Sequence, residues 1–334
     1  MSRRPAIQTP AGQGGPEREG GSTPPGLVSF VGAGPGAPDL ITLRGASRLA
    51  SARAIVWASS LVPEALLAHA SPDATVHDSA SMTLEDVLEV YRAYPDDLVV
   101  RLHSGDPSLY GAIQEQMDWC EANARPFEVV PGVSSVAAAA AAVGREITLP
   151  GVSQSLVITR LPSRTAASMP PAESLPALAA TGASMAVLLS AARPAALQES
   201  LLSPPSAFGP DTPAAIVHRA TWPDEQVVRT RLGDLASDLV SLGATTTTLV
   251  LVGDFLALGG SRSHLYSPLF AHAFRKRSAP GSTAGRPAGT TRARSVEESS
   301  SPDAHEAKSP PPDAHEAKSP QPKASRDSRV GGSR

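Results

Sequence analysis

The stretch FVGAGPGAPDL, residues 30–40, decides how the chain folds and raises the question of which ligand it serves. The apolar run 27–31 before it reads as a strand, and Gly32, Gly34 and Ala37 then satisfy the G-x-G-x-x-G/A spacing of a dinucleotide-binding turn. In such a site an acidic residue about twenty positions further on, at the end of the second strand, holds the ribose. Here the second strand, 54–57, ends in Trp57 and continues into Ala58 and Ser59, with no carboxylate. Pro35 and Pro38 also remove N–H donors from the turn, which weakens it as a cradle for a diphosphate. A ligand without a diphosphate is therefore expected, with a nicotinamide dinucleotide as the alternative.

Outward from this turn, apolar runs alternate with helical patterns. A helix over 43–52 places Leu43, Ala46 and Leu49 on one face. Thr83 reads as an N-cap, with Met82 and Val87 placed for a hydrophobic staple. A strand at 98–102, a helix at 110–121, a strand at 127–130 and a helix of small residues at 133–143 complete a β/α series, so a parallel sheet is expected. The pattern breaks near LPGVSQ, 149–154. Strands then follow at 155–159, 185–189, 215–218, 226–232 and 247–252, while Pro170, Pro171, Pro176, Pro204, Pro205 and Pro210 punctuate the connections. The expected organisation is an α/β domain over 27–149 and a second α/β domain over 150–278, with a ligand cleft between them.

The two ends read differently. Residues 1–26 are mostly Gly, Pro, Ser, Arg and Gln, with no apolar h-region. From 279 to 334 there is no Phe, Tyr, Trp, Leu or Ile, and PDAHEAKSP occurs at 302–310 and again at 312–320. Segments with so little to bury cannot offset their chain entropy, so both are expected to be disordered tails, with His305 and His315 solvated. A formal net charge of −3 and the lack of a long basic run exclude binding to nucleic acid by phosphate neutralisation. FRKR, 274–277, is the densest basic cluster, at the end of the foldable part. Cys120 is the single cysteine, which excludes an intrachain disulfide and a cysteine-cluster metal site, and beside Trp119 it reads as a core thiol. With no apolar run of about eighteen residues, no membrane span is expected, and the chain reads as a soluble cytoplasmic protein.

Six blocks occur together and in order: GAGPGAPDLITLRG (32–45), SSLVPEALL (59–67), RLHSGDPSLYGAIQEQM (101–117), VVPGVSSVAAAAA (129–141), ATWPDEQVVRT (220–230) and HLYSPLFAHAFRKR (264–277). Over 27–278 the chain thereby resembles the tetrapyrrole methylases. The resemblance implies two α/β domains with S-adenosyl-L-methionine folded between them, a ligand that carries no phosphate. It implies cofactor contacts at Pro35, at Ser104, Gly105, Asp106 and Leu109, at Ser134 and Ser135, at Leu189, and at Ala220 and Thr221. Each has a plainer reading: Gly105 and Asp106 make a turn with Pro107, Ser134 and Ser135 start a helix, and Leu189 is core.

The last two blocks are the most specific, and they imply transfer of a methyl group to C11 of precorrin-4 or its cobalt form, giving the precorrin-5 level intermediate. Methylation at C17 or C20, or on RNA, is the alternative within the class, and an oxidoreductase the alternative outside it. A homodimer is implied by the resemblance alone. No catalytic residue and no metal site is assigned, because alignment of the reactants can supply much of the barrier; His103 and Tyr110 flank the SGDP loop. A polycarboxylate substrate calls for basic residues, with Arg44, Arg101, Arg160, Arg164 and Arg219 as candidates. The chain departs from the family pattern at Ala37, where an acid is usual, and in LPSRTAASMP, 161–170, where a G-R-T-P-V-P stretch is usual.

Overall fold

The computed structural model describes residues 24–162 and 169–257, together with Ser263, Leu265, Ser267, Phe270 and Ala271. The tandem nonapeptide, Arg164 and the FRKR cluster lie outside the described residues. In the first half, β1 (Val28–Gly32), β2 (Ala54–Trp57), β3 (Thr75–Asp78), β4 (Val99–His103) and β5 (Phe127–Val130) form one sheet in the order β3-β2-β4-β1-β5. Every pairing in it is parallel, as the β/α alternation predicts. Alternate residues of the strands fill two cores: Val31, Ile55 and Leu102 pack with Leu49 of α1 (Leu43–Ser51) on one face. Phe30, Val56 and Val99 pack on the other, with Val87 and Tyr91 of α2 (Leu84–Ala93) and Cys120 of α3 (Gln114–Ala122). Thr83 caps α2 in a reciprocal capping box with Asp86.

The expected helix over 110–121 begins only at Gln114. Tyr110 and Ala112 take left-handed backbone angles (φ 58° and 50°), which break the helical pattern and leave 104–113 as a loop at the end of β4.

The second sheet is mixed, in the order β6-β7-β10-β8-β9: β6 (Leu156–Arg160), β7 (Ser184–Leu188), β8 (Pro213–His218), β9 (Gln226–Arg231) and β10 (Thr248–Val252). Only β6 and β7 run parallel. One face packs on Leu175 of α5 (Leu175–Ala179), Leu197 and Leu201 of α6 (Pro194–Leu202), and Leu235 and Leu239 of α7 (Leu235–Leu242). The other face is covered by α4 (Ser135–Ala142), whose Val136 and Ala139 meet Ala186, Val217 and Leu251. A helix that follows the last strand of the first sheet thus completes the core of the second, and the ends of β1, β4 and β5 face the second sheet.

Candidate functional site

Three strand ends converge where glycine is required. A Cβ on Gly32 would lie 2.5 Å from Gly132 Cα, and one on Gly132 would strike the carbonyl oxygen of Gly105. The close approach lets the first and third loops pair: the Gly105 N–H donates to Gly34 O (2.8 Å) and the Ala33 N–H to His103 O (2.7 Å). Asp106 then ties in the β5 loop. Its carboxylate accepts from the Gly132 N–H (2.9 Å), from the Ser108 N–H (2.9 Å) and from the Ser108 hydroxyl. Partial burial works to raise its pKa, but these hydrogen bonds outweigh it and hold the carboxyl below its ordinary value.

From the second sheet, the turn after β8 reaches over to the first loop. Trp222 Nε1 donates to Pro35 O (3.0 Å), and Thr221 Oγ1 accepts from the Ala37 N–H (2.9 Å). A side chain at Gly36 would collide with the Trp222 ring, so the glycine is what admits the indole. Arg219 stacks on Trp222 with its guanidinium carbon 4.4 Å from the ring centroid, and pairs with Asp224.

Between these loops lies a cavity of about 410 Å³. Pro35, Ser104, Ser135, Leu189 and Ala220 line it; Gly105, Asp106, Leu109, Ser134 and Thr221 sit in the loops that carry those residues. Ser134 is the N-cap of α4, its hydroxyl accepting from the Val136 N–H (3.2 Å). Leu189 is no core residue: it is 68% exposed at φ 55°. Tyr110 and Thr247, also with positive φ, line the same cavity. Left-handed backbone in bulky or β-branched residues is strained, and such strain gathers at ligand sites.

His103 lines the cavity at 7% exposure, with Nε2 buried and without a partner. Burial first, and the nearby Arg101 charge second, push its pKa down to about 3, so the ring is neutral. Tyr110 is raised by burial, against the Arg160 charge. Among the described residues no group of three or more His, Cys, Asp or Glu side chains could hold a metal, and no helix is long and apolar enough to cross a membrane.

A family model for the tetrapyrrole (corrin/porphyrin) methylases matches residues 27–236. The chain belongs to this family. A precorrin-4 C(11)-methyltransferase of Pseudomonas aeruginosa is 44% identical over 251 residues, covering 74% of this chain and 98% of the relative. Among solved structures, a cobalt precorrin-4 methyltransferase superposes with a TM-score of 0.65 at 38% identity, over 71% of this chain and 99% of its own. A uroporphyrin-III C-methyltransferase from Thermus thermophilus, in complex with S-adenosylhomocysteine, gives 0.58 at 28% identity, over 70% and 100%.

In this tetrapyrrole methylase the cavity also takes in residues that the sequence reading passed over: Ala58, Leu61, Ser190 and the threonines 245–248. The threonines had a legible signal. They lead into β10, whose first residue is Thr248; β10 runs antiparallel to β8 with Thr248 opposite His218, so they fall at the same edge as the ATWPDE turn.

Proposed function

We propose that this chain transfers the methyl group of S-adenosylmethionine to C11 of precorrin-4, or of its cobalt form. The observation that carries this reading is the 44% identity to a precorrin-4 C(11)-methyltransferase over 98% of that relative's length. The cavity suits such a cofactor. Backbone turns at Pro35, Ser104 and Ala220 and hydroxyls at Ser135 and Thr246 offer polar contacts, Leu188, Leu189 and Val217 offer apolar wall, and the orphaned His103 Nε2 calls for a ligand partner. The end of β2 presents Trp57 and Ala58, not the acid a dinucleotide ribose requires.

S-adenosylmethionine, when bound, supplies an electrophilic methyl on its sulfonium. Pro35, Ser104, Gly105, Asp106, Leu109, Ser134, Ser135, Leu189, Ala220 and Thr221 hold it on this reading, Asp106 and Ser134 through the loops they brace because their own side-chain oxygens are engaged. The chain's contribution to the reaction is alignment and exclusion of water, worth on the order of 7–11 kcal/mol for well-placed reactants. Among the described residues no carboxylate lines the cavity, and His103, at about 3, is a weak base. Action as a homodimer in the cytoplasm accompanies this reading.

Incubation with methyl-labelled S-adenosylmethionine and precorrin-4, with the label located by NMR, tests it. Label at C11 is expected. Label at C17 or C20 reassigns the ring position, and no transfer to any tetrapyrrole removes the reading. Titration with NADH and S-adenosylhomocysteine separates it from an oxidoreductase.

A further inference from the structure

Arg101 and His103 stand two residues apart on β4, so their side chains leave the sheet on one face, and both line the cavity. Nη1 of Arg101 donates to the carbonyl oxygens of Val56 (3.2 Å) and Leu102 (3.4 Å), but its Nε is buried without a partner. No described carboxylate ion-pairs with it. The Tyr91 phenol near it supplies no counter-charge, because burial keeps it protonated and neutral and it donates to Gln116 Oε1 (2.6 Å). Arg101 is thus a partly buried cation facing a cavity with no counter-ion among the described residues, a costly state unless an anion arrives. His103 beside it is a buried neutral ring with an unpartnered nitrogen. Among the described residues Arg101 is the one Lys or Arg lining the cavity, which suits a singly charged anion, and its planar fork matches a carboxylate.

We infer that Arg101 and His103 form a carboxylate-binding subsite in the cavity wall, Arg101 supplying the charge and His103 a hydrogen bond. The inference rests on the functional reading above. The carboxylate belongs either to the methionine part of the cofactor or to a side chain of the tetrapyrrole, and both present the same chemistry to these donors.

Equilibrium binding distinguishes the sources. S-adenosylhomocysteine, its analogue lacking only the carboxylate, and uroporphyrin as a stable tetrapyrrole polycarboxylate are titrated into the full-length wild type and into Arg101→Gln and Arg101→Lys. Arg101→Gln is expected to lose about 10- to 100-fold in affinity for one carboxylate-bearing probe, with Arg101→Lys recovering part of it. A loss for S-adenosylhomocysteine but not for its decarboxylated analogue assigns the cofactor carboxylate; a loss for uroporphyrin alone assigns the macrocycle. His103→Leu should weaken the same probe more than His103→Gln does. Unchanged affinity for both carboxylate probes in Arg101→Gln overturns the inference. So does an equal loss for the decarboxylated analogue, which would mark a structural role. Failure of the wild type to bind S-adenosylhomocysteine refutes the cofactor reading instead, and leaves uroporphyrin to decide the subsite.

Discussion

Gln116 shows how a single buried side chain reaches the cavity. Its Oε1 accepts from the Tyr91 hydroxyl (2.6 Å), and its Nε2 donates to Ala112 O (3.0 Å), the carbonyl of a left-handed residue next to the cavity-lining Tyr110 and Gly111. Gln116→Leu leaves the phenol and that carbonyl unpaired in the core. It should cost about 1–3 kcal/mol, read from urea unfolding, and should weaken S-adenosylhomocysteine binding because the turn loses its brace. Unchanged stability would show that water replaces the amide. A second residue gives a pH signature. Burial raises the Glu128 carboxyl, but the Arg48 hydrogen bond (2.5 Å), the Ser29 hydrogen bond (2.8 Å) and the charges of Arg48 and Arg44 outweigh burial, so its pKa falls below the ordinary 4.5. A carboxyl with a depressed folded-state pKa stabilises the fold above its unfolded pKa and loses that contribution as pH falls through the folded value. With partial solvent screening, Glu128→Gln should cost about 0.5–1 kcal/mol at pH 7. The gap to wild type should close below pH 4.5, and a gap independent of pH would assign the loss to packing.

Among the elements, the first sheet was legible because its inner strands are apolar runs flanked by turn residues; inner β2 and edge β5 fall at the expected positions. β3 was not, since Thr75–Asp78 is an edge strand whose side chains are mostly exposed and carry no apolar pattern. The helices α5 and α6 were hidden by prolines that sit at their starts: Pro176 and Pro194 occupy first-turn positions, where a missing N–H costs nothing. The glycine and proline turns of the candidate site were legible, but the left-handed backbone at Tyr110, Leu189 and Thr247 was not, because residues of these types rarely adopt it. For α4 the sequence showed the small residues without their reason. Ala139 is fully buried against the second sheet, and only a methyl fits so close an approach. Ala139→Leu should overpack this seam and destabilise by about 1–3 kcal/mol in thermal or chemical unfolding. A neutral outcome would mean that α4 can lift from the sheet freely.

At the scale of the whole molecule, Trp222 makes a polar tie between the two halves, through its indole N–H to Pro35 O. Trp222→Phe keeps an aromatic ring near Gly36 but removes the donor. The expected result is weaker S-adenosylhomocysteine binding by about three- to tenfold, the worth of one hydrogen bond, with little change in melting temperature. Equal loss of stability and binding would show the tie to be structural only. The ends of the chain pose the opposite case. The Pseudomonas aeruginosa relative is covered over 98% of its length by a match that takes in 74% of this chain, so a quarter of the chain has no counterpart in that enzyme. Residues 279–334 also hold no Phe, Tyr, Trp, Leu or Ile with which to extend a core, and burial of apolar area is what would repay ordering them. A chain cut to residues 27–278 should therefore melt at the wild-type temperature, bind S-adenosylhomocysteine with wild-type affinity and methylate precorrin-4 at the wild-type rate. A lower melting temperature would show that one of the removed segments packs on the fold; intact stability with a lost methylation rate would place a removed segment at the substrate.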